Sequence, residues 1–481
     1  MKKSIRLVSL VVALLMCCAL ALTSCDALLQ YIPGLGGNQT PPTEDPTPDP
    51  TPDPDPTPDP DPEKDLNAKS EGVMTWAEYD AAELNTPVVI EAYVQGHQSW
   101  WDNKISVYLQ DLDGGYFAYE MACSEADAAK LTPGTKIRIT GYKAAWAGEV
   151  EIDAGCTFEF VNDGLTYVAA PTDVTSLLTS EDLVKHQNML VSFKGMMFVS
   201  LTYKGGQRGN DIYVVFEKDG ATYDFCVESY LTGPSSDLYL AVEALQAGDV
   251  VDVEGFLYWY NGANPHMTKV TKTGNVNAKS AGVMTWAEYD AAELNTPVVI
   301  EAYVQGHQSW WDNKVTVYLQ DLDGGYFAYE MACSEADAAK LTPGTKIRIT
   351  GYKAEWAGEV EIDAGCTFEF VNDGLTYVAA PTDVTSLLTS EDLVNYQNML
   401  VSFKGMTFVS LTYKGGQRGN DIYVVFEKDG ATYDFCVESY LTGPSSDLYL
   451  AVEALQAGDV VDVEGFLYWY NGMNPHITAV K

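Results

Sequence analysis

The chain is poor in the residues that carry most enzyme chemistry and most nucleic-acid binding. Only 5 of its 481 residues are His, and 28 Lys and Arg stand against 68 Asp and Glu, a formal net charge of −40. Scarce His leaves little material for general acid-base catalysis. Excess negative charge repels phosphate backbones and anionic membrane surfaces. We therefore expect a protein that is not an enzyme, and charge disfavours a nucleic acid as its partner.

The short motifs of common enzymes and metal sites are also missing from the sequence. It contains no Gly-x-Ser-x-Gly, no His-Glu-x-x-His and no Cys-x-x-Cys. A nucleophile elbow, a zinc protease site and a zinc ribbon each depend on one of these spacings. We therefore predict no catalytic residues, no cofactor and no metal.

The first residues have the features of an export signal. A basic start, Met-Lys-Lys, precedes an apolar run at 8–22 that is too short to span a bilayer comfortably. The run ends in Leu-Thr-Ser-Cys at 22–25, which resembles the bacterial lipobox. That resemblance implies cleavage before Cys25 and lipidation of its thiol, so that the chain is anchored in a membrane. The expected location is the bacterial cell envelope.

A stretch of extreme composition follows the signal. Residues 40–65 are almost wholly Pro, Thr, Asp and Glu. Such a tract has no apolar area to bury, and it is stiffened by Pro and by charge repulsion. We expect an extended stalk that lifts the folded part of the chain off the membrane.

The rest of the chain is one sequence that occurs twice. The run that begins at Asn67 returns at Asn277, and only about ten positions differ between the copies. This is a tandem duplication of a structural unit. Each copy keeps three Cys, so at least one thiol per copy lacks an internal partner. Cys123 and Cys156 could form a disulfide, but buried free thiols are the favoured interpretation.

Within each copy, the same order of elements recurs twice. The first half has a strand at 87–96, two strands around the Asp-Gly turn at 113–114, a short helix at 124–131, and two strands at 136–142 and 149–152. This order is that of the OB-fold. The runs at 108–111 and 133–141 resemble the OB-type modules that accompany secreted bacterial nucleases and surface lipoproteins. The second half, at 189–270, resembles them more loosely.

The predicted fold is therefore all-β with short helices. It consists of four OB-like five-stranded Greek-key barrels in an A-B-A-B tandem array. The predicted segments are a signal peptide at 1–24, a lipid anchor and disordered stalk at 25–66, barrel A1 at 67–166, barrel B1 at 167–276, barrel A2 at 277–376 and barrel B2 at 377–481.

Candidate binding residues lie where OB-folds usually bind, on strands two and three and in the loops 1–2 and 4–5. The first loop of barrel A carries the adjacent pair Trp100 and Trp101, and its 4–5 loop carries Trp146. One interpretation is an aromatic platform on which a sugar ring or a base stacks. The other is that one Trp closes the barrel end and the other packs on the neighbouring barrel.

The first loop of barrel B is the part of the chain most like a nucleic-acid site, since Lys204 and Arg208 lie beside Tyr203. The competing interpretation is a solvated loop, because two cations are few against the surrounding acid. The predicted ligand-binding residues in both copies are Trp100, Trp101, Tyr108, Tyr142, Trp146, Tyr203, Lys204, Arg208, Tyr213, Trp259, Trp310, Trp311, Tyr318, Tyr352, Trp356, Tyr413, Lys414, Arg418, Tyr423 and Trp469.

The sequence thus predicts a membrane-anchored envelope lipoprotein that binds an extracellular glycan or protein ligand without catalysis. The alternative is an OB-fold lipoprotein that binds nucleic acid. Two weak sites on one stalk would gain avidity from effective concentration.

Overall fold

The computed structural model describes residues 65–481. The signal peptide at 1–24, the lipidation of Cys25 and nearly all of the stalk lie outside the described residues. Within 65–481, no helix has the length and apolarity needed to cross a membrane.

Barrel A1 begins after the helix Trp76–Ala81, whose start is fixed by a capping box between Thr75 and Glu78. A second short helix, Glu125–Ala128, has Ser124 as its N-cap. The strands of A1 are β1 (Pro87–His97), β2 (Lys104–Gln110), β3 (Gly115–Ala122), β4 (Lys136–Trp146), β5 (Glu149–Ile152) and β6 (Thr157–Phe160).

Barrel B1 follows the same plan with longer connections. Its strands are β7 (Thr172–Asp173), β8 (Leu190–Tyr203), β9 (Ile212–Lys218), β10 (Ala221–Val227), β11 (Asp249–Phe256) and β12 (His266–Asn275). Its helices are Ser229–Thr232 and Asp237–Glu243, with 3-10 turns at Thr175–Leu177, Glu181–His186 and Lys204–Gly206.

The second copy repeats these elements almost residue for residue. The strands of A2 are β13 (Pro297–His307), β14 (Lys314–Gln320), β15 (Gly325–Ala332), β16 (Lys346–Trp356), β17 (Glu359–Ile362) and β18 (Thr367–Phe370). Those of B2 are β19 (Thr382–Asp383), β20 (Leu400–Tyr413), β21 (Ile422–Lys428), β22 (Ala431–Val437), β23 (Val460–Phe466) and β24 (His476–Val480). Its helices are Trp286–Ala291, Glu335–Ala338, Ser439–Thr442 and Asp447–Ala454, with 3-10 turns at Thr385–Leu387, Glu391–Tyr396 and Lys414–Gly416.

Each of the four sheets closes on itself as an OB-fold does. In A1 the strand order is β1-β2-β3-β5-β4, and a further pairing of β1 with β4 completes the ring. The pairing of β3 with β5 is parallel, and its neighbours are antiparallel. The same five-stranded ring recurs in B1, A2 and B2, which confirms the predicted fold. Two strands were not predicted: β6 adds to the edge of β4, and the two-residue β7 adds to β8.

A glycine is required where strand β1 bends. The register between β1 and β2 shifts between Val94 and Gly96, which is the bulge expected of a small barrel. A Cβ on Gly96 would lie 2.9 Å from the ring of Phe256 in barrel B1. The bulge therefore also marks the place where the second barrel comes closest to the first.

Each barrel has a core of its own, built from the inward-facing residues of its strands. In A1 these include Val88, Ile90, Ala92 and Val94 of β1, at alternate positions. All six Cys in the described residues are buried free thiols, Cys123, Cys156, Cys226, Cys333, Cys366 and Cys436. Burial raises the pKa of the Cys156 thiol to about 12, so these thiols act as small core residues.

Within each repeat, barrel A docks on barrel B through a contact that we call the seam. Tyr108 stacks on Phe256 with ring centroids 4.3 Å apart, and its hydroxyl is hydrogen-bonded to Nδ1 of His266 at 2.8 Å. The backbone N–H of Trp259 donates to the carboxylate of Glu149 at 2.8 Å. The seam thus combines stacked rings with buried polar pairs.

Between the repeats, barrel B1 packs on barrel A2 through a smaller apolar contact that we call the junction. Its buried residues include Met197 and Val250 of B1 and Tyr377 of A2, with Val276 between the barrels. The predicted boundaries at 166 and 276 fall between the sheets. That either repeat folds alone remains a prediction.

Candidate binding cleft

A cleft opens between the two barrels of each repeat, above the seam. In the second repeat its larger part has a volume of about 640 Å³. The residues that line this part from A2 include Trp311, Tyr329, Trp356, Glu330, Glu361 and Asp363, and those from B2 include Tyr440, Tyr468, Lys414, Asp421, Glu438 and His476. A second part, lined by Tyr423, Asp434 and Tyr470, shares Trp356 with the first and continues it across B2.

The exposed aromatic side chains of the repeat gather in this cleft. Seven Trp and Tyr residues of the second repeat are at least 39 % exposed. Six of them line the cleft, namely Trp311, Tyr329, Trp356, Tyr423, Tyr440 and Tyr470. Only Tyr352 lies outside it. Exposed rings concentrated in one concave place indicate a binding site rather than scattered surface residues.

The 4–5 loops of the two barrels interlock to hold the central rings. Trp146 ends β4 and lies 5.2 Å from the ring of Tyr260 in the 4–5 loop of B1. The backbone N–H of Asn261 donates to the carbonyl of Ala147 at 2.6 Å. Gly148 completes the turn with φ at +93°, and a Cβ there would lie 2.7 Å from the Trp259 ring. A residue larger than Gly would push the two loops apart.

The walls of the cleft are acidic. Its one lining ammonium, Lys414, is paired with Asp421 at 2.8 Å. Glu330 is paired with Lys314 at 2.7 Å. Glu361 is 7 % exposed and has no hydrogen-bond partner among residues 65–481. Burial, with a smaller contribution from the charge of Asp363, raises the pKa of Glu361 to about 7.

A buried polar chain forms the floor of the cleft, where the seam begins. In the first repeat His266 stacks on Tyr258 and is hydrogen-bonded to Tyr108. Burial lowers the pKa of His266 to about 4, so the imidazole is neutral at physiological pH. Glu228 lies in the same wall, and burial raises the pKa of its carboxyl to about 7.

The first repeat has a matching cleft. Its B-side part is lined by Trp146, Tyr213, Tyr258 and Tyr260 with Asp211, Asp224 and Glu228. These are the counterparts of Trp356, Tyr423, Tyr468, Tyr470, Asp421, Asp434 and Glu438. The protein therefore carries two clefts with nearly the same lining.

The structure brings together several residues that the sequence placed in separate loops. Trp311 from the first loop of A2, Trp356 from its 4–5 loop, and Lys414 and Tyr423 from B2 meet around one cleft. Trp101 is 50 % exposed, and Nζ of Lys104 lies 3.8 Å from its ring centre.

Other predicted binding residues have different surroundings. Tyr108 and Tyr318 are fully buried in the seam, so the prediction that they contact a ligand is corrected. Trp100 and Trp310 pack on the cores of A1 and A2. Nε1 of Trp100 donates to the Cys123 carbonyl at 2.9 Å. Of the adjacent Trp pair, one ring therefore closes the barrel and the other faces solvent.

The remaining predicted residues of barrel B also point elsewhere. Trp259 and Trp469 pack against the cores of B1 and B2. Arg208 forms two hydrogen bonds of 2.6 Å with Glu243, which also accepts from the Tyr203 hydroxyl. Tyr413 and Arg418 repeat this pairing with Glu453. Tyr142, like Tyr352, is exposed but is not among the residues that line the cleft.

Sequence reasoning missed Tyr119, Tyr230, Tyr258 and Tyr260 and their counterparts in the second copy, as well as every carboxyl of the cleft. Tyr258 and Tyr260 flank a residue that was predicted, so the loop was found but not the correct ring. No pattern in the sequence identifies Tyr119 or Tyr230, because they enter the cleft only through the docking of A on B.

The chain matches no protein-family model and no curated protein sequence. Among solved structures it is similar to a murine DNA-binding protein bound with dsDNA, at 9 % identity and a TM-score of 0.17, over 38 % of this chain and 98 % of that one. It is similar to a replication protein A heterotrimer bound to ssDNA, at 9 % identity and a TM-score of 0.17, over 61 % and 92 %.

A third match is a HINa domain in complex with 20-bp dsDNA, at 10 % identity and a TM-score of 0.14, over 38 % of this chain and 95 % of that one. TM-scores this low carry no argument about what this chain binds. The assignment of four OB-like barrels rests on the strand order and closure of its own sheets.

Proposed function

We propose that each repeat binds a glycan in its cleft, and that the chain is a non-catalytic, lipid-anchored protein of the bacterial cell envelope. The observation that carries this proposal is that six of the seven exposed aromatic rings of a repeat line one cleft together with several carboxyls. Everything below depends on that coincidence of rings and acceptors.

A sugar matches this lining chemically. The C–H face of a pyranose is apolar and stacks on Trp or Tyr rings, as the tilted pair of Trp356 and Tyr470 would allow. Carboxylates such as Asp363 and Asp421 accept hydrogen bonds from sugar hydroxyls. A protein ligand, the other partner expected from the sequence, is less well matched, because protein interfaces are usually broad and have few charged residues at their centre.

A nucleic acid is the second candidate. The solved structures similar to this chain include complexes with dsDNA and ssDNA, although their poor superposition transfers no function, and bases stack on the same kinds of ring. The basic residues that would meet phosphates are engaged: Lys204 with Asp211 at 2.8 Å, and Arg208 with Glu243 at 2.6 Å. Oligonucleotide binding that weakens steeply with added salt would favour this candidate.

Binding without catalysis is the simpler use of these groups. His266 is a poor general base at neutral pH, because its pKa is lowered to about 4 and its Nδ1 is held by Tyr108. Glu149 is fully buried in the seam and out of reach of a ligand. Recovery of the glycan unchanged after prolonged incubation would support this part of the proposal.

The membrane attachment would act through Cys25, since the chain before it resembles a lipoprotein signal. Two clefts of nearly identical lining on one anchored chain would gain avidity toward a long glycan. Replacement of Cys25 by Ser should release the protein from the membrane fraction. Quantitative retention of that variant would contradict lipid anchoring.

The decisive experiment compares two pairs of exposed aromatic residues in the full chain. Trp146→Ala with Trp356→Ala removes a ring from each cleft, whereas Tyr142→Ala with Tyr352→Ala removes equally exposed rings outside the cleft lining. On a glycan array, the Trp pair should lose about 1–3 kcal/mol of binding per site. The Tyr pair should bind as the unchanged protein does. Equal loss in both variants, or no glycan bound at all, would overturn the proposal.

A further inference from the structure

The charge of the cleft restricts which glycan it can take. In the second repeat, Glu330, Glu361, Asp363, Asp421, Asp434 and Glu438 line the two parts of the cleft. The one lining cation is Lys414, already paired with Asp421 at 2.8 Å. A uronic acid, a sulfated sugar or a phosphorylated sugar would meet repulsion from nearly every wall.

One of these carboxyls is left without a partner. Glu361 is 93 % buried, since its exposed fraction is 7 %, yet it lines the cleft. Neither a cation nor a hydrogen-bond donor contacts its side chain within residues 65–481. Glu151, at the same position of the first repeat, is equally buried. A buried carboxyl without a donor is costly unless a ligand supplies one.

Aromatic rings surround the same space. Trp311, Tyr329 and Trp356 line the cleft together with Glu361. The faces of such rings attract a cation, most strongly where water is partly excluded. An ammonium in this position would therefore receive a charge-assisted hydrogen bond and one or more cation–π contacts.

We infer that each cleft selects a glycan whose sugars carry free, protonated amino groups, and that Glu151 and Glu361 receive an amine in the first and second repeats. This inference rests on the proposed glycan binding and narrows it to one chemical class. A neutral sugar hydroxyl could also donate to these carboxyls, but it would not offset the surrounding negative charge. An N-acetylated sugar has an amide in place of the amine and carries no charge.

The test uses two oligosaccharides that differ only in this group. The full chain is titrated calorimetrically at mildly acidic pH with a β-1,4-linked glucosamine tetramer and with the corresponding N-acetylglucosamine tetramer. We expect the amino form to bind at least about tenfold more tightly, a ratio that corresponds to one charge-assisted contact. Equal binding of the two, or tighter binding of the acetylated form, would overturn the inference and leave the glycan proposal standing.

Variants separate the cleft from the general acidity of the chain. Glu151→Gln with Glu361→Gln should abolish most of the preference for the amino form and leave the acetylated form unaffected. Glu159→Gln with Glu369→Gln removes the same number of charges from exposed positions that do not line the cleft, and should retain the preference. If the preference persists in the first pair, surface charge causes it and the inference is wrong. If neither tetramer nor any other glycan binds, the proposed function itself fails.

Discussion

The contact within each repeat and the contact between the repeats are built from different chemistry. In the seam, Tyr108 stacks on Phe256 and Glu149 accepts the Trp259 N–H, so rings and buried polar pairs hold A on B. The junction is apolar, with Met197 among its buried residues. Directional bonds fix one geometry, whereas apolar contact only rewards burial. The A–B pair is therefore the unit that builds a cleft, and the junction arranges two such units.

The same comparison explains one difference between the copies. Val250 in the junction is 8 % exposed, whereas its counterpart Val460 is 65 % exposed. Met197, also in the junction, corresponds to the half-buried Thr407. A polar residue stands where the surface is open and an apolar one where barrel A2 covers it. Burial of an identical side chain thus depends on what packs against it.

The largest expected effect comes from breaking the seam. Phe256→Ala removes a ring that is 2 % exposed and stacked on Tyr108. We expect a loss of about 3–5 kcal/mol of stability, as for other buried Phe residues, together with loss of ligand binding in that repeat. Denaturant unfolding followed by Trp fluorescence measures the first quantity. A change below about 1 kcal/mol would mean that the barrels do not depend on this stack.

The next effect separates the adjacent Trp residues at the edge of the seam. Trp100→Ala should cost about 2–4 kcal/mol, because the ring packs on the core of A1 and its Nε1 is hydrogen-bonded. Trp101→Ala should change stability by less than about 1 kcal/mol, because the ring is half exposed and meets only Lys104 as a cation. Thermal unfolding of the two variants tests this. Equal losses would contradict the division of roles.

Buried carboxyls make the seam sensitive to pH in a way that the junction is not. Burial raises the pKa of Glu149 from 4.5 to about 8, and that of Glu228 to about 7. Such groups stabilise the fold fully below their unfolded pKa, and this contribution is lost as pH rises through the folded pKa. We therefore expect Tm to fall between about pH 5 and pH 8.

Other carboxyls act in the opposite sense at lower pH. Burial opposes the ionisation of Asp211, but hydrogen bonds from Lys204 and Ser229 outweigh it and hold its pKa below the ordinary value. Its contribution is lost as pH falls through that lowered value. The Glu149→Gln variant should flatten the decline of Tm between about pH 5 and pH 8, and the exposed control Glu159→Gln should not. A Tm that rises over this range would contradict the prediction.

The smallest effect belongs to the junction. Met197→Thr places in the first copy the residue that the second copy has at Thr407. Because Met197 is buried against A2, we expect a loss of about 1–2 kcal/mol. The reverse change, Thr407→Met, should be within about 0.5 kcal/mol of neutral. Calorimetric scans of both variants provide the comparison, and a larger loss for Thr407→Met would refute the assignment of the junction.

The sequence by itself determined the elements and the fold. Apolar alternation in β1, the capping box at Thr75 and the glycine at position 96 are local signals, and each was found where predicted. Near-identity of the copies then required that whatever formed once formed twice. The short strands β6 and β7 were missed, because four and two residues are too few for a period to be recognised.

Only the tertiary structure decided which residues form the cleft. Periodicity shows that one face of a strand is buried, but it does not show against what. Tyr108 was predicted to contact a ligand and is instead buried against Phe256 and His266, the latter 158 positions away in the chain. Tyr119 and Tyr230 enter the cleft by the same docking of A on B. That docking depends on the shape and polarity of two completed barrels, and no local stretch of sequence contains both.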